Sequence, residues 1–390
     1  MELHYRKKQS EEEIVNGRPA ALKTVDVVGD GEGSPNRIIL GENAAVLRSL
    51  MRDRTISKHV DLVYIDPPFA TNATFRAGSK RVATISAARA DAVAYHDRLL
   101  GEEFIEYLRE RLVLLRELLS ETGSIYVHID YKIGHYVKVM MDEVFGQRNF
   151  RNDITRIKCN PKNFARKGYG NVKDMVLFYT MGREAVWNEP RGRAPRANIE
   201  KLFSKIDKKG RRYTTTPLHA PGETRNGESG QEWKGMRPPA GRHWRYSRDV
   251  LDRLDAAGLI AWSSRGVPRK IIFADEHGEQ RLQDIWEFKD LQSPSYPTEK
   301  NINLLRTIIQ TSSAPGQLVL DAFCGSGTTL LAAEELGRRW IGIDNSPLAI
   351  ELAAKRLRSP GSTLFKRSPQ FVLEEQSLPA RSHQRLKQAA

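Results

Sequence analysis

Cysteine and long apolar runs are both scarce in this chain. The 390 residues include two cysteines, Cys159 and Cys324, too few for a disulfide framework or a cysteine metal cluster. A reducing cytoplasm is therefore the expected compartment. No apolar run approaches the roughly 20 residues of a membrane-spanning helix, and the first residues lack the apolar core of a signal peptide. With a mean hydropathy of −0.53, no membrane partner is expected.

A P-loop is also missing, although a glycine loop is present. Residues 318–321 have the pattern of a buried strand, Gly325 and Gly327 follow it, and a helix then runs to Gly337. A second apolar strand ends at Asp344. This order of strand, glycine loop, helix, strand and acid is typical of a βαβ nucleotide-binding unit, whose acid binds ribose hydroxyls.

The ligand of this unit is expected to lack phosphates. Leu330 stands where the third glycine of the dinucleotide fingerprint would fall, and no Gly-Lys-Ser/Thr follows the loop. A nucleoside cofactor without phosphates therefore fits better than NAD or ATP. S-adenosylmethionine (SAM) is such a cofactor, and its amino-acid carboxylate can lie at a helix N-terminus.

A second motif, Asp66-Pro67-Pro68-Phe69, follows the apolar run 62–65. A strand that stops at an acid and two prolines makes a rigid corner, because proline fixes φ and restricts the residue before it. The corner presents a carboxylate, the Pro67 carbonyl and an aromatic ring, which together suit a planar heterocycle with an exocyclic amine. A plain surface turn is the alternative interpretation of the motif alone.

Taken together, these segments resemble the β-class DNA amino-methyltransferases. This is the permuted family of adenine-N6 and cytosine-N4 enzymes, which includes the modification subunits of type III restriction systems. The resemblance covers residues 37–357 and is carried by Asp66-Pro67-Pro68-Phe69, the glycine loop 323–329 and the strand 340–344.

The sequence departs from the family pattern at three places, which puts the contacts made there in doubt rather than the class. The departures are Gly41-Glu42-Asn43 for the usual Gly-Asp-Asn, Asp321-Ala322-Phe323 for Asp-Pro-Phe, and Thr298-Glu299-Lys300-Asn301 for Thr-Gln-Lys-Pro.

The fold class implied is α/β, a permuted Rossmann-like SAM-dependent methyltransferase. The alternation of elements predicts a mostly parallel, doubly wound sheet, with an inserted DNA-recognition region. The early strands 38–40 and 62–65 must lie beside the late strands of the glycine-loop unit, so that their carboxyl ends form one site. The predicted domains are a polar N-terminal arm (1–36), a catalytic half (37–150), an inserted basic target-recognition region (151–292), a cofactor-binding half (293–358) and a polar C-terminal tail without assigned function (359–390).

Positive charge is concentrated in one segment. The net charge is +14, and residues 151–245 contain 22 Lys and Arg against 9 Asp and Glu. Such a block is typical of a protein that binds a polyanion. The segment also contains aromatic residues, at least half of which are expected in a small domain core: Phe164, Tyr169, Trp187, Tyr213, Trp233 and Trp244.

The resemblance also implies roles for individual residues. Asp66, Pro67, Pro68 and Phe69 are expected to be catalytic. The expected cofactor-binding residues are Asn43, Thr298, Lys300, Asp321, Phe323, Gly325, Gly327, Thr328, Asp344 and Asn345. For Asp321, capping of backbone amides is an equal alternative, and His128 and Asp130 are expected to be structural. No metal site is expected.

The sequence thus predicts methyl transfer from SAM to the N6 amine of adenine in double-stranded DNA. Asp66 and the Pro67 carbonyl would accept the amine hydrogens, and the flipped base would stack on Phe69. Cytosine-N4 methylation is the alternative, although Ser more often opens that motif. The absence of a Pro-Cys pair argues against C5 methylation, since Cys159 follows Lys158. An inactive DNA-binding module and a nicotinamide oxidoreductase are the alternatives from other classes.

Double-stranded DNA is the predicted partner. The resemblance also implies a homodimer, and it leaves a restriction endonuclease partner open. The chain is shorter than expected of a type III subunit, which favours a stand-alone or type II enzyme.

Overall fold

The computed structural model describes most of the chain. The described residues are 2–29, 34–68, 101–161, 165, 167–193, 196–224, 227–264, 266–276, 279–291, 294, 299–358 and 369–377, together with 74–77 and 92–96; only the backbone is described at 74–77, 92–96, 193, 196–198 and 279–280. None of the helices in these ranges combines the length and the apolar character needed to cross a membrane.

Helices and strands alternate along the chain. The helices are α1 Glu11–Val15, α2 Asn43–Leu50, α3 Gly101–Leu118, α4 Gly134–Met141, α5 Arg196–Leu202, α6 Arg248–Ala256, α7 Ile302–Ser312, α8 Thr328–Glu335 and α9 Pro347–Arg358. The strands are β1 Leu22–Val28, β2 Asn36–Leu40, β3 Val60–Ile65, β4 Thr74–Ala77, β5 Ala92–His96, β6 Leu119–Ile129, β7 Phe150–Ile157, β8 Lys173–Thr180, β9 Arg191–Arg193, β10 Lys205–Ile206, β11 Arg212–Pro217, β12 His219–Pro221, β13 Arg242–Trp244, β14 Ile260–Trp262, β15 Pro268–Phe273, β16 Glu279–Arg281, β17 Ile285–Trp286, β18 Leu318–Asp321, β19 Arg339–Asp344 and β20 Phe371–Gln376.

The main sheet has the order β1-β20-β2-β19-β18-β3-β6-β8-β7-β17. Its centre is parallel, since β2, β19, β18, β3 and β6 pair in the same direction. Antiparallel pairs lie towards its two sides, at β1 with β20 and at β8 with β6 and β7. The early strand β3 pairs with the late strand β18 through Leu62 with Val319 and Val63 with Leu320. The predicted fold, a permuted and mostly parallel α/β sheet, is confirmed.

Apolar residues on both faces explain why the central strands lie inside. All four residues of β18 are buried, and so are five of the six in β3, as expected where helices cover both faces of a parallel sheet. Helix α3 has its buried leucines at helical spacing, including Leu108, Leu112 and Leu115. The sheet and these helices form one continuous apolar core.

The compact insertion is shorter than the predicted 151–292. Residues 191–282 form a unit of their own, and residues up to 190 and from 283 belong to the main unit. Strands β7 and β8 are therefore part of the main sheet. Seven of the eight residues of β8 are buried, so the segment behaves as a core strand despite the basic residues on either side of it.

Both ends of the chain also contribute structure that the sequence analysis did not expect. The predicted polar arm contains α1, whose Ile14 is fully buried, and the edge strand β1. The predicted tail contains β20, which lies between β1 and β2. Phe371 of β20 is fully buried, and Glu374 pairs with Arg37 of β2 at 2.6 Å. Three apolar residues followed by two glutamates and a glutamine were too short a signal to stand out among polar residues.

The unit 191–282 has its own small core. Leu218, Trp233, Trp244, Leu251 and Ile260 are buried together. A four-stranded sheet of order β10-β11-β15-β14 and the pair β12-β13 frame them. Two of the aromatics from the basic segment are thus core residues here, whereas Tyr169 and Trp187 are exposed residues of the main unit and Phe164 lies outside the described residues.

Candidate active site

Four adjacent strands end at one edge of the main sheet. In the order β2, β19, β18, β3, their carboxyl ends lead into Asn43, Asp344, the loop after Asp321, and Asp66. Because parallel strands point the same way, these side chains share one edge although they are about three hundred residues apart in sequence. The arrangement matches the one predicted from the permuted order.

Asp66 has two carboxylate oxygens in different environments. Its Oδ2 lies 2.6 Å from Nζ of Lys300. Its Oδ1 is buried and has no hydrogen-bond partner among the residues that the structure describes. An unpaired buried acceptor costs free energy, so such an atom marks a place where a donor is expected. Pro67 is buried and Pro68 half-buried, while Phe69 lies outside the described residues.

The backbone amides of the glycine loop donate hydrogen bonds to residues at the ends of the two strands beside it. The Phe323 amide donates to Oδ1 of Asp321 at 2.9 Å, and the Cys324 amide donates to the Ile343 carbonyl at 3.0 Å. The Gly325 amide donates to Oδ2 of Asp344 at 2.9 Å. Each contact fixes a different residue of the loop, so its path is set by the strands.

Gly327 is required at the last position of this loop. Its φ is +79°, in the left-handed region, and a Cβ there would lie 2.8 Å from Cβ of Ala353 in α9. It is also the N-cap of α8, and no side chain caps that helix. The first amides of α8 are therefore available to an anionic group such as an amino-acid carboxylate.

Packing explains why Leu330 can replace the third glycine of the dinucleotide fingerprint. The close approach of helix to strand is provided by Gly342 of β19 instead. A Cβ at Gly342 would lie 2.5 Å from Cδ1 of Leu330. The helix thus packs its leucine onto a glycine of the strand.

Asp344, at the end of β19, holds the backbone on both sides of it in space. Its Oδ1 accepts the Ser346 amide at 2.9 Å, in addition to the bond from Gly325 at Oδ2. Burial raises the pKa of this carboxyl, and the backbone amides oppose the rise. Asn345, next in the chain, is exposed. Binding of a ribose by Asp344 stays a prediction.

Asp321 is a buried acid whose carboxyl is held at an unusually high pKa. It is 2% exposed, and burial is the main cause that raises its pKa to about 7. The negative charges of Asp66 and Asp344 add to the rise, while hydrogen bonds from Thr329 and the Phe323 amide oppose it. Its bond to the Phe323 amide is the capping role that the sequence left as the alternative.

Asn43 joins α2 to the glycine loop. Its Nδ2 donates to the Ala322 carbonyl at 3.0 Å, and its Oδ1 accepts from Nε of Arg111 at 2.6 Å. Both ends of the amide have a protein partner, which supports a role in shaping the site. A cofactor contact by Asn43 stays a prediction.

Tyr107 was missed by the sequence analysis. Its ring meets that of Phe323 edge-on, with centroids 6.3 Å apart, and the Arg111 guanidinium lies 3.5 Å from its centroid on the face. Burial raises the pKa of Tyr107. The residue lies on α3 within a regular helical pattern, so nothing in the sequence distinguished it from the core.

His128 belongs to a buried polar chain one strand away from Asp66. Its Nδ1 lies 2.9 Å from the Tyr64 hydroxyl and its Nε2 lies 3.2 Å from Oδ2 of Asp174. Burial lowers the pKa of His128. The pKa of Asp174 is lowered. Burial alone would raise it, but hydrogen bonds from His128 and Lys158 outweigh burial. These bonds support the structural role expected for His128.

Arg356 of α9 was also missed. Its Nη1 donates to the Ser326 carbonyl at 3.2 Å and lies 3.4 Å from Oγ1 of Thr328, while its Nη2 pairs with Glu299 at 3.0 Å. It thereby ties the segment before α7 to the glycine loop. Thr298, predicted in that segment, lies outside the described residues.

Comparison with known proteins agrees with this architecture. Residues 60–355 match the N6/N4 DNA methylase family. The chain is 41% identical over 328 residues to the type II methyltransferase M.EcaI of Enterobacter cloacae, covering 83% of this chain and 69% of that protein. It is 25% identical over 364 residues to the type III StyLTI Mod subunit of Salmonella typhimurium. That match covers 85% of this chain but only 54% of the Mod subunit.

Two solved structures are similar over most of the chain. The complex of M1.HpyAVI with SAM gives a TM-score of 0.42 at 16% identity, covering 82% of this chain and 98% of that one. The cytosine-N4-specific PvuII DNA methyltransferase gives a TM-score of 0.44 at 15% identity, covering 85% of this chain and 89% of that one.

The fold, the glycine loop and the Asp66 corner define a methyltransferase of the permuted α/β class. The chain belongs to the N6/N4 DNA methylase family, which confirms the resemblance stated from its motifs. SAM is the methyl donor of this family, as predicted.

Proposed function

We propose that this protein transfers a methyl group from SAM to the exocyclic N6 amine of adenine in double-stranded DNA. The observation that carries the proposal is the open Oδ1 of Asp66 at the end of β3, beside the strand that leads into the glycine loop. An N–H donor is expected at that oxygen, and the amine of a base is such a donor. Asp66 favours adenine over cytosine, since Ser more often opens the motif of cytosine-N4 enzymes.

The residues of the glycine-loop unit fit SAM. The uncapped N-terminus of α8 suits its amino-acid carboxylate. The left-handed Gly325 and Gly327 keep side chains out of the loop, and Phe323 lies half-buried beside them. We assign Thr328, Asp344 and Asn345 to the same pocket on the basis of their position.

Asp66 and the Pro67 carbonyl would each accept one hydrogen of the amine. Both bonds pull the nitrogen away from planarity and turn its lone pair towards the donor. SAM, held by the glycine loop and the N-terminus of α8, would supply a methyl group from its sulfonium, and the carbon–sulfur bond would break as the nitrogen–carbon bond formed. The nitrogen then loses one proton to the Asp66 carboxylate, which releases it to water. Most of the catalysis comes from positioning and hydrogen bonding.

Exposed basic and aromatic side chains at the same sheet edge support DNA as the substrate. Because β8 runs antiparallel to β6 and β7, the described residues between β7 and β8 lie at the carboxyl end of β6. They include the exposed Lys167 and Tyr169, and the turn after β6 exposes Tyr131 and Lys132. Cations that contact phosphates and rings that stack on bases are the two components of such a surface.

Target recognition is proposed for the basic insertion. The unit 191–282 has its own core, so it can present basic side chains on a stable frame. A homodimer and a restriction endonuclease partner stay predictions, and light scattering of the purified protein with and without DNA tests the first.

The test is methyl transfer by the wild type and by Asp66→Ala. Purified protein, SAM and unmethylated DNA are incubated, and the digested nucleosides are analysed for N6-methyladenine and N4-methylcytosine. We expect N6-methyladenine from the wild type and a loss of about 10²–10³-fold in Asp66→Ala, the range measured when one hydrogen-bonding group of a transition state is removed.

A thermal melt with and without SAM serves as the folding control. Near wild-type transfer by a folded Asp66→Ala would refute the assignment of Asp66. If the product were N4-methylcytosine, the protein would still be a DNA amino-methyltransferase, but its target base would be cytosine and not adenine.

A further inference from the structure

The two carboxylate oxygens of Asp66 differ in their contacts: one pairs with a lysine, and the other has no hydrogen-bond partner among the described residues. Lys300 is 9% exposed, and its Nζ lies 2.6 Å from Oδ2. Oδ1 has no partner among the described residues. The sequence analysis assigned Lys300 to the cofactor, but the structure places its ammonium against the proposed catalytic carboxylate.

The position of Lys300 is fixed from both sides along the chain. Asn301, which follows it, caps α7 by accepting the Asn303 amide at 3.0 Å and donates from Nδ2 to the Lys289 carbonyl at 3.0 Å. Glu299, which precedes it, pairs with Arg356, and Arg356 also bonds the glycine loop. The backbone at Lys300 is therefore anchored to both the start of a buried helix and the proposed cofactor loop.

An ammonium on one oxygen restricts the carboxylate in two ways. It limits rotation of the carboxylate about χ2, so that the lone pairs of Oδ1 keep one direction. It also directs the incoming amine to Oδ1, because Oδ2 is already occupied. Charge adds a third effect. The negative charges of Asp66 and Asp344 both act on Asp321, and the Lys300 ammonium places a compensating positive charge within this group of acids.

We propose that Lys300 is a positioning residue for the transfer step, which holds Oδ2 of Asp66 so that Oδ1 accepts the amine hydrogen. This rests on the proposed function of Asp66. The consequence is specific: Lys300 contributes to the rate of transfer and not to the affinity for SAM.

The test separates those two quantities. Lys300→Met removes the ammonium and keeps the length of the side chain, and Lys300→Arg keeps the charge. Steady-state methylation gives kcat and the KM for SAM, and calorimetry gives the Kd for SAM. We expect Lys300→Met to lower kcat by about 10- to 100-fold, the cost of a misplaced reacting group, with KM and Kd for SAM within twofold of the wild type. Lys300→Arg should recover part of the loss.

Lys138→Met is the matched control. Lys138 of α4 forms a half-buried ion pair at 2.8 Å with Asp142, which directly follows the helix, so the same substitution there removes a comparable pair outside the proposed site. Its kcat should stay within twofold of the wild type. If Lys300→Met loses its cooperative melt, Lys300→Gln allows the same comparison with a neutral donor retained.

Coupling between the two residues provides an independent readout. If Lys300 acts through Asp66, the loss in the double variant Asp66→Asn/Lys300→Met equals that of Asp66→Asn alone. Losses that multiply instead would overturn the proposal.

The remaining outcomes are also distinct. A Kd for SAM weakened tenfold or more with kcat unchanged would make Lys300 a cofactor ligand. A higher kcat in Lys300→Met would mean that Lys300 occupies the position of the base and must be displaced before transfer. Either result overturns the proposal. If Asp66→Ala abolishes transfer but Lys300→Met does not change it, only the role of Lys300 fails; if Asp66→Ala is fully active, the proposed function of Asp66 fails as well.

Discussion

Asp321→Asn should make the protein more stable at neutral pH and less dependent on pH. The reason is the raised pKa of the buried Asp321 carboxyl, about 7 against the ordinary 3.8. Above the ordinary value, the unfolded chain has lost this proton while the folded protein still holds it. Stability is therefore lost as pH rises, from about 4 until the folded carboxyl has ionised near 7.

The size of the effect follows from the two pKa values. Between pH 5 and pH 8, the loss attributable to Asp321 is about 3 kcal/mol. Asparagine has no proton to lose. Its amide oxygen can accept the Phe323 amide as Asp321 does now, and its amide nitrogen can donate to the Thr329 hydroxyl. Between pH 5 and pH 8, the free energy of unfolding of the variant should therefore rise by about 3 kcal/mol relative to that of the wild type.

Urea unfolding of both proteins at pH 5, 6, 7 and 8 provides the measurement. The difference in free energy of unfolding between the two proteins is the quantity to follow, because groups distant from Asp321 titrate alike in both. A difference that stays constant from pH 5 to pH 8 would show that Asp321 does not change its ionisation in this range. A separate SAM titration of the variant tests whether the charge is needed for the cofactor.

Three further perturbations test other parts of the molecule. Gly327→Ala should weaken SAM binding and lower the free energy of unfolding by about 1–3 kcal/mol, because Gly327 has a positive φ and a Cβ there would contact Ala353. The control is Gly337→Ala, where φ is also positive but the space is open; in a SAM titration this variant should bind like the wild type. Phe371→Ala should lower the free energy of unfolding by about 3–5 kcal/mol, measured in urea; an unchanged value would mean that β20 is not part of the stable sheet. Lys167→Ala should reduce the salt dependence of DNA binding by about one unit of log–log slope, measured by fluorescence anisotropy, whereas the same change at Lys23 on β1 should not.

The parts of the fold that the sequence predicted are those with a strong local signal. The strands around Asp66 and Asp344 are apolar runs that end at an acid, and such runs are typical of the central strands of a parallel sheet, which are buried on both faces. Their adjacency followed from the resemblance to a permuted family. The helix α3 was evident from its periodic leucines.

What the sequence could not predict depended on partners distant in the chain. Strand β20 is short and contains two glutamates, and its partners in the sheet come from distant parts of the chain: it pairs with β1 and β2, and Glu374 forms an ion pair with Arg37. Strand β8 was assigned to the insertion because the charge of its neighbours dominated the window. Net charge reports which surface a segment exposes, and it does not report whether a buried strand lies between two exposed loops.

The same reasoning explains the assignment of Lys300. Its position next to the α7 cap was visible in the sequence, and the resemblance placed that segment over the cofactor. A lysine side chain, however, reaches about 6 Å from its backbone, so the position of the backbone does not determine which neighbour its ammonium contacts. The deciding fact is the ion pair between Nζ of Lys300 and Oδ2 of Asp66, which joins the segment over the proposed cofactor pocket to the proposed catalytic corner. Donor and acceptor sides of the reaction would then be aligned by one side chain, and a variant that loses this alignment should bind SAM normally and transfer its methyl group slowly.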